Sequence, residues 1–166
     1  MEERFYDFKV GAKWIFDAVF DGNKRQVHFT VARREPGRTI VEHDIYNPPD
    51  PGATASMDHA WYLEDGYVLW GDAEPAKPWW RVYQVGSRRG DTWQGPNGKG
   101  KAEHLGVEEV VVPAGSFPDA VHIRLEDEDA KIHDFYYAPL VGLVKWRTSG
   151  LKGAMLLQLK FFSSGS

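Results

Sequence analysis

From Lys13 to Val31 the chain spells out a β-hairpin, and this constrains the fold more than any other feature. Ile15, Asp17 and Val19 alternate with Phe16, Ala18 and Phe20. Asp21-Gly22-Asn23 then breaks the run, and Val27, Phe29 and Val31 alternate with His28, Thr30 and Ala32. Successive residues of a strand point to opposite faces, so alternation of this kind suits a sheet. Asp-Gly between two such runs is a strong hairpin signal, because both residues accept the left-handed backbone of a two-residue turn.

The same grammar continues along the chain. Seventeen Gly and ten Pro are spread over the 166 residues, and turn residues at roughly ten-residue intervals point to many short strands. "REPGR" turns the chain into a strand over Thr39–Tyr46, and Asp65-Gly66 centres a hairpin in "HAWYLEDGYVLWGD". "WWRVYQVG" reads as a strand. The last third gives strands over 103–112, 119–125, 132–138, 141–148 and 153–162. The proline-rich "NPPDPGATAS" at 47–56 and the glycine-rich "SRRGDTWQGPNGKGK" read as loops. A helix over 54–64 or 119–137 is the alternative reading. The expected fold is mainly β with little helix: one large curved antiparallel sheet, or a half-open β-barrel, of about 9–11 strands. Residues 1–162 are expected to form one β-rich domain, with 163–166, "SSGS", a linker remnant.

Twenty Lys and Arg face 24 Asp and Glu, a net charge of −4, and the basic residues are scattered in short pairs. That distribution lacks the basic stripe of a nucleic-acid binder. The absence of cysteine excludes disulfides and thiol chemistry. No apolar run reaches the length of a membrane-spanning helix, and "MEERFYDFKVG" has no leader pattern.

The "EEVVVPAGSFPDAVHIRL" stretch at 108–125 invites a catalytic reading through Ser116, Asp119 and His122. A corner explains it better. Pro113 ends one strand by removing a ladder donor, Gly115 accommodates the turn, and Phe117 packs beneath it. Val121, Ile123 and Leu125 then face one way while His122 and Arg124 face the other.

Three segments taken in order, "GDTW" at 90–93, "VVVPAGSF" within 110–117 and "YYAPLVGLVK" within 136–145, follow the opening "KVGAKW". In this series the chain resembles a group of exported, lipoprotein-like bacterial β-rich domains of unassigned function. Leu140 stands where that group carries Gly. The resemblance implies the half-open barrel of lipoprotein carriers and a place in the periplasm or at the cell surface. It carries over no catalytic residue.

The histidines His43, His59 and His133 each adjoin an aspartate, but strand neighbours face opposite ways, so none of these pairs shares a substrate. No H-x-H or H-E-x-x-H spacing occurs, so no metal site is expected; the least remote ligands are His122 and His133 with Glu109 or Asp134. "GPNGKGK" lacks the residues of a phosphate loop, and "EDEDAK" lacks the spaced oxygens of a calcium loop. No motif calls for a cofactor.

Aromatics make up 14% of the chain, with seven Trp. Rings of this size suit either a core or a pocket wall. Trp61, Trp70, Trp80, Tyr83 and Tyr137 are the candidate lining of a cavity, with Arg81 or His122 fixing a polar end of the ligand. Trp79 and Trp80 are expected on opposite faces of their strand. The expected function is non-catalytic binding of an apolar small molecule or lipid in an exported barrel. The rivals are a cell-envelope interaction module and an enzyme whose site is assembled from separate strands. Oligomeric state does not follow from the sequence.

Overall fold

A computed structural model of the chain describes residues 5, 7–75, 77–149 and 153–165. Their strands are β1 (Lys13–Phe20), β2 (Asn23–Glu35), β3 (Arg38–Tyr46), β4 (Ala53–Glu64), β5 (Tyr67–Asp72), β6 (Lys77–Gln84), β7 (Thr92–Gln94), β8 (Lys101–Val112), β9 (Gly115–Glu126), β10 (Ile132–Ala138), β11 (Gly142–Ser149) and β12 (Met155–Ser163). One 3-10 turn, Pro96–Gly98, lies between β7 and β8. Of the segments with a helical alternative, 54–64 lies within β4, and 119–137 holds parts of β9 and β10 joined by a turn.

All twelve strands form one antiparallel sheet in the order β6-β5-β4-β3-β2-β1-β12-β11-β10-β9-β8-β7. The order is that of the chain, cut between β6 and β7 and joined instead between β1 and β12. The first hairpin closes at Asp21 (φ 49°) and Gly22 (φ 82°), the paired left-handed residues its sequence calls for. Twelve strands exceed the expected number by one, because the stretch "SRRGDTWQGPNGKGK", read as a loop, contains β7, only Thr92–Gln94; β4, which starts at Ala53, also runs back into the proline-rich stretch read as a loop. Ser163, set apart as a linker, pairs with Lys13.

The sheet curls until its two edges meet, which makes a nearly closed barrel. β6 and β7 are not joined by ladder hydrogen bonds. Side chains bridge the seam: the Trp93 indole N–H donates to the Arg81 carbonyl at 2.8 Å, and Arg81 Nη1 donates to the Gln94 carbonyl at 3.2 Å.

The inner face carries the rings. Trp14, Phe16, Phe29, Trp61, Trp70 and Phe135 are all at most 2% exposed. Burying a side chain of this size stabilises the fold by roughly 1.5–3 kcal/mol. Phe5 and Phe8, ahead of β1, enter the same core. Phe5 stacks on Tyr137 at 4.9 Å and meets Tyr83 edge-on at 4.8 Å, while Phe8 meets Trp14 edge-on at 4.8 Å.

The 108–125 stretch is the end of the β8–β9 hairpin. Gly115 takes φ 141°, and Phe117 is half-buried against the core. The hairpin is long enough for its tip to reach β12, where the Ala114 N–H donates to the Leu159 carbonyl at 2.9 Å. That carbonyl lies beside the β-bulge at which β1 and β12 shift register, between Ile15 and Phe16.

Candidate functional site

The seam is where the barrel stays open. β7 covers three residues of β8, at Lys101, Ala102 and Glu103, so the first half of β6 has no strand opposite it. Across the gap stand the β7–β8 connection and the end of β9. Between them lies a pocket of about 140 Å³ whose walls include Trp79, Trp80, Arg81, Lys101 and Asp127.

Both tryptophans reach it because β6 is irregular. Trp70 pairs with Trp80 and Gly71 pairs with Pro78, which leaves Trp79 as an extra residue. A bulge of this kind re-aims the side chains beside it. Trp79 and Trp80 therefore share the inner side, with centroids 5.9 Å apart, rather than taking opposite faces as their alternation suggested. Trp79 stands edge-on to His59 at 5.8 Å, and Trp80 lies 4.6 Å from His133. Gly71 permits the bulge: a Cβ there would collide with the Lys77 carbonyl and lie 2.8 Å from Pro78 Cα.

Behind Trp80 the polar groups are fixed. Trp146 Nε1 donates to His133 Nδ1 at 3.1 Å, so the imidazole carries its proton on Nε2 and donates to the Asp127 carboxylate at 2.9 Å. Burial holds His133 below its ordinary pKa, against the pull of Asp127. Burial alone would raise Asp127, but the His133 N–H and the backbone N–H groups of Lys131 and Asp129 together hold it below the usual carboxylate range. The pair is thus a neutral imidazole on an ionised carboxylate. At the mouth, Lys101 pairs with Glu126 at 3.6 Å and Lys99 with Glu128 at 3.5 Å. Arg81 lies over the Tyr67 ring, its Cζ 4.4 Å from the centroid. Its Nε is buried and has no hydrogen-bond partner among the described residues.

The residues expected to line one cavity fall into three places. Trp80 and Arg81 meet at the seam pocket. Trp61 and Trp70 stack on each other at 5.5 Å inside the barrel, and Tyr83 and Tyr137 both pack on Phe5. These four rings touch other rings. His122 lies on the outer face. Its Nε2 is 2.7 Å from Asp134 and its Nδ1 3.3 Å from Glu108, and it stacks on Tyr136 at 4.2 Å. Arg124 also binds Asp134, at 3.0 Å. His122 and His133 belong to paired strands but face opposite sides of the sheet, so they do not converge on one ion.

Sequence reasoning missed Trp79 and Asp127. A bulge hid the first, and its signal in the sequence is Gly71, near the end of the strand before Pro78-Trp79-Trp80. The second sits in an acidic turn that looked merely solvated. Compared with known protein families and with curated proteins, the chain matches none. The fold defines its class, a nearly closed up-and-down β-barrel with one unclosed seam.

Proposed function

We propose that this barrel is a non-catalytic binding domain that takes a small amphiphile at the β6–β7 seam. The ligand lays a flat apolar group against Trp79 and Trp80 and turns an acceptor group, carboxylate or carbonyl, toward Arg81. The observation that carries this reading is Arg81 Nε, a buried donor without a partner on the wall of a tryptophan-lined pocket. A buried N–H left unpaired is costly, and an acceptor on a ligand removes that cost. Size narrows the ligand. A cavity of about 150 Å³ accepts benzene, so this one suits a single ring or a short branched chain, and a long acyl chain would leave most of itself outside. The resemblance to exported carrier-like domains supports a role outside the cytoplasm.

Titration with benzoate, and with benzyl alcohol as the uncharged comparison, tests the assignment through tryptophan fluorescence. Benzoate should bind saturably and more tightly than the alcohol. Arg81→Gln should remove the difference between them, and Trp80→Ala should weaken both. Equal, non-saturating responses to both compounds would sink the reading.

A further inference from the structure

A second constellation sits inside the barrel on β3 and β4. His43 pairs with Met57, and Val41 pairs with His59. Cross-strand partners share a face, as do residues two apart on a strand. His43, Met57 and His59 are therefore neighbours on one face, and ring contacts show it to be the inner one. His43 meets Phe29 at 4.8 Å, and His59 meets Phe29, Trp61 and Trp70 at 5.5, 5.9 and 6.1 Å. The two imidazoles lie 5.3 Å apart. His59 is 2% exposed, and its Nε2 has no hydrogen-bond partner among the described residues. Met57 is 50% exposed and gives the cluster its way out to solvent.

We infer that His43, Met57 and His59 form a binding site for a soft monovalent d¹⁰ cation, Cu(I) in particular. Two uncharged imidazoles and one thioether make a soft, neutral ligand set, the kind that selects Cu(I) over harder ions. A zinc site needs a closed set of four nitrogen, sulfur or oxygen ligands. Asp72 pairs with His59 across the β4–β5 ladder, yet among the described residues no three His, Cys, Asp or Glu side chains group closely enough to hold a metal ion. Charge points the same way. A single positive charge costs far less to bury in an apolar interior than a double one, and the face of Trp61, stacked with His59 at 5.9 Å, offers it cation–π stabilisation.

Anaerobic titration with Cu(I) in competition with bicinchoninate tests the site. One Cu(I) per chain is expected, with quenching of tryptophan fluorescence, and Ag(I) should reproduce the signal. X-ray absorption should show one sulfur and two nitrogen scatterers. Met57→Leu changes a half-exposed side chain and leaves the core intact. It should remove the sulfur scatterer and weaken binding about tenfold or more, at least what the loss of an outer-shell partner costs a metal site. His43→Gln should abolish the stoichiometric site, with circular dichroism checking that this variant folds. Absence of saturable Cu(I) binding overturns the assignment. So does unchanged affinity in Met57→Leu, or Zn(II) displacing Cu(I) from the same site.

Discussion

Leu140 occupies the third position of the turn Ala138-Pro139-Leu140-Val141, which closes with a Val141 N–H to Ala138 carbonyl hydrogen bond of 3.2 Å. Its φ is 66°, in the left-handed region that a proline-led turn of this kind reserves for glycine. An L side chain there costs about 1–2 kcal/mol, and Leu140 recovers little of it, being 70% exposed. Glycine loses more backbone entropy on folding, which offsets part of the gain. Leu140→Gly should therefore raise stability by up to about 1 kcal/mol, read as a higher urea midpoint with an unchanged slope. A lower midpoint would mean that the leucine makes contacts its exposure does not suggest. Much at this scale was legible in the sequence, because turn chemistry is local. Asp21-Gly22, Asp65-Gly66 and Pro113-Ala114 are turns in the structure, as their residue types require. His122 was legible only in part. Its alternation against Val121 and Ile123 set it on the other face, but its partners Glu108 and Asp134 come from neighbouring strands whose register the sequence does not declare.

Strands were readable where their pairing is local and obscure where it is not. β10 runs over the 132–138 expected, since Ile132–Ala138 is bounded by turns on both sides. β7 was read as loop because three residues carry too little alternation to register. The seam pocket depends on that short strand and on the bulge in β6, so the candidate site was the least legible part of the molecule. The bulge in turn depends on Gly71. A methyl group there must displace the backbone of Lys77 and Pro78, and overpacking of this kind costs typically 1–3 kcal/mol. Gly71→Ala should lower stability by about that amount and move Trp79 and Trp80 out of the pocket. The shift should be visible as a changed near-ultraviolet circular dichroism spectrum and as loss of benzoate binding. If Gly71→Ala binds benzoate as the native chain does, the bulge does not position the two rings.

Across the whole molecule, the histidines set how the barrel answers acid. His28, His43, His59 and His133 are displaced downward from 6.5, and in each burial is the largest cause. Unfolding returns each to its ordinary value. Between the folded and unfolded pKa the unfolded chain therefore binds more protons, and stability falls as pH falls. The contribution is fully present above pH 6.5 and is lost progressively below it, down to about 4 for His43 and about 3 for His59. The carboxylates act in a lower window. Burial opposes ionisation of Asp134 and Asp127, but His122 and Arg124 on the first and His133 on the second, with backbone N–H groups, hold both below 3.8. Their stabilisation is present above 3.8 and is lost only as pH drops through their folded values. The two windows separate the causes. With a chelator present, the urea midpoint should be level above pH 7 and should decline from about 6.5 toward 4.5, before the carboxylates take part. His43→Gln, which cannot take up the proton, should make that decline shallower, leaving the part due to His28, His59 and His133, without altering the fall below pH 4. A native midpoint that stays level down to pH 4.5 would show that the interior does not hold its imidazoles neutral.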